Sequence, residues 1–265
     1  MTDIDENIVE LLDSETVRIN TPEFVEADPV QFPRRFDKLQ DIEIAAFLSA
    51  TIAWGNRKMI CSNCEKMLRL MDYQPYSYVC DEGYEELPGR FNIHRTFFSD
   101  DFAYFLRGLH RIYSRHDSLD AFASACKVGE CEMPAWELVR HMAAEFETAN
   151  NGESSVRCLP GNLDKTALKR INMALRWLVR NDGIVDLGVW KSLRPSQLYI
   201  PLDVHVGDTA RALGLLSRKA NDRLAVEQLT ATLRALRPDD PVAYDFALFG
   251  LGIGGKYTNT HIKII

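Results

Sequence analysis

Apolar residues along this chain recur at three- and four-residue intervals almost from end to end, while alternating runs of β-branched and polar residues are nearly missing. That spacing matches the 3.6-residue turn of a helix rather than the two-residue pleat of a strand, so the chain is expected to be all-α. Ile8, Leu11 and Leu12 open a short amphipathic helix, and Pro22, Pro29 and Pro33 punctuate the connector after it. Ile42, Ile44, Ala45, Phe47, Leu48 and Ile52 predict a buried helix over 39–53, broken by Trp54-Gly55-Asn56 and resumed over 57–71. Residues 75–95 mix Pro, Gly, Tyr and acids and read as a loop. Further helices are expected over 97–113, 118–126 and 134–148, the last with Pro134 in its first turn, where a missing N–H costs nothing. Asn150-Asn151-Gly152-Glu153-Ser154-Ser155 has the composition of a linker. The chain therefore reads as one unit over 1–265 made of two helical lobes, 36–150 and 155–255, with a cleft between them.

With 265 residues, 46% of them hydrophobic, the chain can bury a sizeable core. No apolar run approaches the roughly 18–20 residues that span a bilayer, so no membrane association is expected. The start, Met1-Thr2-Asp3-Ile4-Asp5-Glu6, is acidic and lacks the pattern of a secretion signal, which predicts a cytoplasmic protein. The six cysteines then read as reduced thiols. Cys61 and Cys64 have the spacing of metal ligands, but no second pair completes a tetrahedral set, and no metal site is predicted.

The formal net charge of −7 argues against a polyanionic partner until its distribution is considered. Residues 1–50 hold 4 Lys/Arg against 12 Asp/Glu, whereas residues 155–220 hold 11 against 5. Within that basic stretch a helix is expected over 164–181. Ala167, Leu168, Ile171, Ala174, Leu175, Leu178 and Val179 make its apolar face, and Lys169, Arg176 and Arg180 fall together on another. A cationic stripe suits a phosphate backbone; an ordinary solvated face has the same pattern.

Asp203, in Pro201-Leu202-Asp203-Val204-His205-Val206, stands where a further helix begins, as an N-cap. A carboxylate held there also stabilises positive charge developing at a sugar C1′. A lysine among other cations is the amine nucleophile that covalent glycosidic chemistry needs, and Lys169, beside Arg170 and Arg176, has that company.

Leu159-Pro160-Gly161-Asn162-Leu163-Asp164-Lys165-Thr166-Ala167, followed by the block at 201–206, resembles the helix-hairpin-helix (HhH-GPD) DNA glycosylase superfamily. A closer resemblance, on 169–180, 201–206 and Asp240-Pro241-Val242-Ala243-Tyr244-Asp245-Phe246-Ala247-Leu248-Phe249-Gly250, is to an uncharacterised bacterial family related to it. More distantly the chain is similar to archaeal 8-oxoguanine glycosylases, which place an aspartate and an aromatic one helical turn apart, as Asp245 and Phe249 are spaced here. The chain departs from the hairpin pattern at Leu163, where a second glycine is usual, and in the 38-residue interval from Lys165 to Asp203.

What the resemblance implies is a base-excision glycosylase, with lyase chemistry, acting on an oxidised purine such as 8-oxoguanine in DNA. Lys169 or Lys165 would be the nucleophile, with Lys169 matching the closer family. Asp203 would stabilise the transition state, and Asp245, Phe249, Met173 and Trp54 would line the base pocket. Arg170, Arg176 and Arg180 would hold the DNA backbone. No cofactor is implied, because no cysteine follows Cys158 to ligate an iron–sulfur cluster. The acidic total charge leaves two alternatives open: a nucleic-acid-binding module without turnover, and a protein-interaction module without DNA.

Overall fold

Short polar side chains and prolines decide where the helices start. Asp5, Asn56, Ser118, Asp203 and Asp222 each accept a backbone N–H from the first turn that follows. Pro22, Pro75 and Pro134 stand at first-turn positions. The computed structural model describes residues 5–254. In chain order it contains α1 (Glu6–Ile19), α2 (Pro22–Ala27), α3 (Leu39–Thr51), α4 (Arg57–Leu70) and α5 (Pro75–Cys80). These are followed by β1 (Asn92–His94), β2 (Phe97–Phe98), α6 (Ser99–Tyr113), α7 (Leu119–Ala125) and α8 (Pro134–Ala149). The C-terminal half adds α9 (Lys169–Val179), α10 (Val204–Ala212), α11 (Arg223–Leu236) and α12 (Asp245–Ile253). The fold is all-α apart from the β1–β2 hairpin, in which Asn92 pairs with Phe98 and His94 with Phe97.

One hydrophobic cluster runs from Leu12 to Leu248. Its centre is α3, where Glu43 to Thr51 are all buried, and α3 packs against both α4 and α9. Helix α12 lies between α1 and α10. Gly252 permits this, since a Cβ there would come within 3.0 Å of His205 Cβ and Thr209 Oγ1.

The structure differs from the sequence reading in four places. Residues 75–95 are not a loop: they hold α5, a 3-10 turn over Gly83–Glu86, and β1. The connector after α1 contains α2, with two 3-10 turns beyond it. Residues 150–155 do not form a free linker. The Asn150 amide donates to Tyr104 O at 3.1 Å and Phe146 O at 2.8 Å, and left-handed Asn151 and Gly152 turn the chain so that Gly152 N–H caps Glu147 O. Finally, the helix expected over 164–181 spans only 169–179. Leu168 is buried in a left-handed conformation (φ 49°), which stops the helix there, and residues 155–168 before it are turns. Residue 255, the end of the second expected lobe, lies outside the described residues.

Glu43 ties α3 to α7 without any cation. Its carboxylate, fully buried, accepts Leu119 N–H and Asp120 N–H at 2.9 Å and the Tyr113 hydroxyl at 3.1 Å. Burial pushes its pKa to about 7, against the opposing effect of those donors. The folded chain therefore takes up a proton between pH 7 and about 4.5 that the unfolded chain does not, and this group's cost to stability declines as the pH falls through that window. Wild type should gain on the order of 3 kcal/mol over this range relative to Glu43→Gln. Urea unfolding of both at pH 7 and pH 5 measures it; parallel pH profiles would contradict it.

Candidate functional site

Helices α9, α10 and α12 converge with the segment 24–29 and the Trp54–Arg57 turn around a cleft of about 700 Å³. That volume lies within the range of small-molecule sites. Seven of the ten candidate residues line it: Lys169, Met173 and Arg176 on α9, Asp203 at the cap of α10, Asp245 and Phe249 on α12, and Trp54 just after α3. Lys169 Nζ stands 3.8 Å from Asp203 Oδ2. The two Asp203 oxygens are divided between tasks. Oδ1 accepts Val206 N–H at 3.0 Å and caps α10, leaving Oδ2 for the lysine. Asp245 and Phe249, one turn apart, both face the cleft from α12.

Trp54 forms one lip and is held from two sides. His94, fully buried in β1, is bonded through Nε2 to Trp54 O at 2.9 Å and meets the indole edge-on at 4.8 Å. The Asn63 amide donates to His94 Nδ1 at 2.8 Å, so Nε2 carries the proton of a neutral ring. Burial lowers the His94 pKa, in keeping with that form. From the other half of the chain the Arg170 guanidinium stacks over the indole at 5.3 Å. Gly55 next to it has φ 101°, and a Cβ there would lie 2.7 Å from the Arg95 guanidinium.

Arg176 and Arg180 correct the sequence reading. They are not an exposed stripe: only 4% and 6% of their surface is accessible, and they form a buried ion network instead. Arg176 bonds Asp245 and lies 3.3 Å from Asp186 Oδ1. Arg180 reaches Asp182 at 2.6 Å, Asp186 at 2.9 Å and Asp240 at 2.8 Å. Phe246 lies beneath both guanidinium groups, at 4.4 and 5.6 Å. Burial works against the Arg176 charge, but Asp186 and Asp245 outweigh it and raise its pKa. Burial pushes Asp245 up to about 6, with Arg176 pulling the other way. Both guanidinium groups are thus committed to carboxylates rather than presented to solvent. Arg170 is half-buried as well, donating to Thr51 O at 2.6 Å.

Lys165 is exposed and does not line this cleft; it lines a neighbouring hollow with Asn221 and Thr166. Lys169 is thus the candidate amine that shares a cleft with the aspartate. Cys61 and Cys64 stand on one face of α4, and among the described residues no group of His, Cys, Asp or Glu has the arrangement of a metal site.

Among the lining residues that the sequence reading did not single out as candidates are Phe24, Asp28, Arg57 and His205. Asp28 caps the 3-10 turn at Pro29–Gln31 through Val30 N–H at 3.1 Å, and Arg57 approaches its other oxygen at 3.8 Å. Arg57 also lies over the Phe249 ring at 5.1 Å. The dipeptide Asp28-Pro29 recurs as Asp240-Pro241, but Asp240 makes no side-chain cap bond, so the dipeptide carries no signal that Asp28 reaches the cleft.

Residues 28–254 match the family described as Protein of unknown function (DUF2400). The chain belongs to that family. No curated protein and no solved structure matches it. The DUF2400 match takes in every cleft residue named above except Phe24. Among the described residues of this DUF2400 protein, no helix is long and apolar enough to cross a membrane.

The buried network makes a stability prediction for the DUF2400 fold. Arg176→Leu leaves the buried Asp245 without its arginine and Asp186 with Arg180 alone, and should lower unfolding free energy by about 3–5 kcal/mol. Urea denaturation at neutral pH measures the loss, and a change below about 1 kcal/mol, the level of an exposed pair, would contradict the buried assignment.

Proposed function

We propose that this DUF2400 protein is a base-excision DNA glycosylase with lyase chemistry, related to the helix-hairpin-helix superfamily and acting on an oxidised purine such as 8-oxoguanine. The observation that carries the reading is the Lys169–Asp203 pair, 3.8 Å apart in a cleft large enough for an extruded base. A buried duplex base is out of reach of such a pair, so the target nucleotide must be turned out of the stack, and an aromatic wall compensates for the stacking it loses. Phe249 and Trp54 supply aromatic surface on two sides of this cleft.

In the proposed chemistry the Lys169 amine attacks C1′ and the glycosidic bond breaks. Asp203 Oδ2 stabilises the positive charge developing at the sugar and accepts the proton released by the lysine nitrogen. The adduct becomes a Schiff base, from which strand cleavage follows by elimination. Asp245 presents a carboxyl to the edge of the base, with Phe249 against its face. Arg176 acts from below, fixing the Asp245 carboxyl rather than touching DNA.

Borohydride trapping on a duplex containing an oxidised guanine tests this directly. Wild type should form a covalent adduct and Lys169→Gln none. Asp203→Asn keeps an oxygen for the Val206 N–H, so it should change stability by less than about 1 kcal/mol while slowing adduct formation by roughly 10²–10⁴-fold. An absence of adduct, with wild type and Lys169→Gln alike on a panel of lesions, removes the enzymatic reading. Tight binding of abasic DNA without base release would assign the cleft to recognition alone.

A further inference from the structure

Lys169 and Asp203 account for the sugar side of the reaction but leave the departing base without a proton. Breaking a bond from C1′ to a neutral purine puts the bonding electron pair on the base, and an acid within reach lowers that barrier. Asp28 stands in the segment between α2 and α3 that closes the cleft opposite α9. Its side chain lines the cleft although the residue is only 9% exposed. Oδ1 is committed to Val30 N–H, whereas Oδ2 has no hydrogen bond, its nearest cation being Arg57 at 3.8 Å. A buried carboxyl in the wall of a substrate-sized space, with one oxygen outside any hydrogen bond, is placed to hold a proton and give it up.

We infer that Asp28 is the general acid that protonates the base as it leaves C1′, a role that rests on the glycosylase reading. The Lys169 lone pair forms the new N–C1′ bond while the bond from C1′ to the base breaks. The electron pair of that bond passes to the base, which takes the proton from Asp28 Oδ2. The surplus proton on the lysine nitrogen passes to Asp203 Oδ2, so charge is conserved: one carboxyl is emptied and the other filled. The groups facing Asp28 are Arg57 and Cys61 from α4 and Lys169 and Arg176 from α9. Burial raises the Asp28 pKa and favours the protonated form, opposed by Arg57, Arg176 and Lys169.

Asp28→Asn tests the assignment, because it keeps an oxygen for Val30 N–H but has no acidic proton. Two duplexes are compared in single-turnover conditions: one carries an oxidised guanine, the other an abasic site at the same position. The abasic site forms a Schiff base with Lys169 without any base departure. In Asp28→Asn, base release should fall by roughly 10²–10⁴-fold while borohydride trapping at the abasic site stays within about twofold of wild type. Equal losses on both duplexes would show that Asp28 only shapes the cleft, and no loss on either would show that it is idle; both overturn the inference. Wild type that traps the abasic site but releases no base overturns it too. Wild type that does neither is the separate failure of the glycosylase reading itself.

Discussion

Two arginines that the protein buries set the geometry of everything around the cleft. Arg176 on α9 and Arg180 at its C-terminal cap between them engage Asp182, Asp186, Asp240 and Asp245. Taking these charges out of water is costly and is offset only if every partner is in place. The network therefore fixes three things together: the path of the chain after α9, the approach to α12, and the rotation of α12 about its axis. The chain after α9 folds back along it, with Leu187 N–H on Trp177 O and Trp190 N–H on Leu178 O, both at 2.8 Å. Lys169 and Asp245 face one space because the helices that carry them are joined by this network.

The site is then a set of side chains each serving the fold with one atom and facing the cleft with another. Asp203 caps α10 with Oδ1 and meets Lys169 with Oδ2. Asp28 caps a 3-10 turn with one oxygen and leaves the other free. Trp54 gives its carbonyl to His94 and its indole to the cleft wall. Such sharing holds a reactive group rigid at little additional entropic cost, which is how positioned groups are most effective. It also means that substitution by alanine confounds fold and chemistry, and that isosteric changes separate them.

Much of this was legible in the sequence, for local reasons. The helical period located α3, α4, α6, α8 and α9, and the Pro-Leu-Asp-Val-His segment placed Asp203 at a helix start, where it caps α10. Lys169, Asp203, Asp245 and Phe249 were readable as candidates because each lies in a compact motif whose spacing constrains it. The arginines were misread because helical spacing shows which residues share a face, not what covers that face. Their partners at 186, 240 and 245 lie beyond the helix, and only the fold brings them in. Asp28 was invisible for the complementary reason: Asp-Pro in a connector reads as a turn, and its nearness to Lys169 depends on the packing of α3 against α9. The late start of α9 followed from burying Leu168 in a left-handed conformation, a tertiary demand that outweighs local helix propensity.

The contact between α1 and α12 has a consequence for how the molecule comes into being. Ile19 packs over Gly250, and the Thr16 hydroxyl reaches Ala243 O, 227 residues further along the chain. Contacts so far apart in sequence close late, since the intervening chain must be ordered before they bring any return. During synthesis α1 is made before α12, and the side of α1 that packs on α12 stays uncovered until α12 has followed. The cleft, walled by residues from Phe24 to Ile253, is completed only at that moment. A chain lacking α12 carries Lys169 and Asp203 without the wall that Asp245 and Phe249 supply.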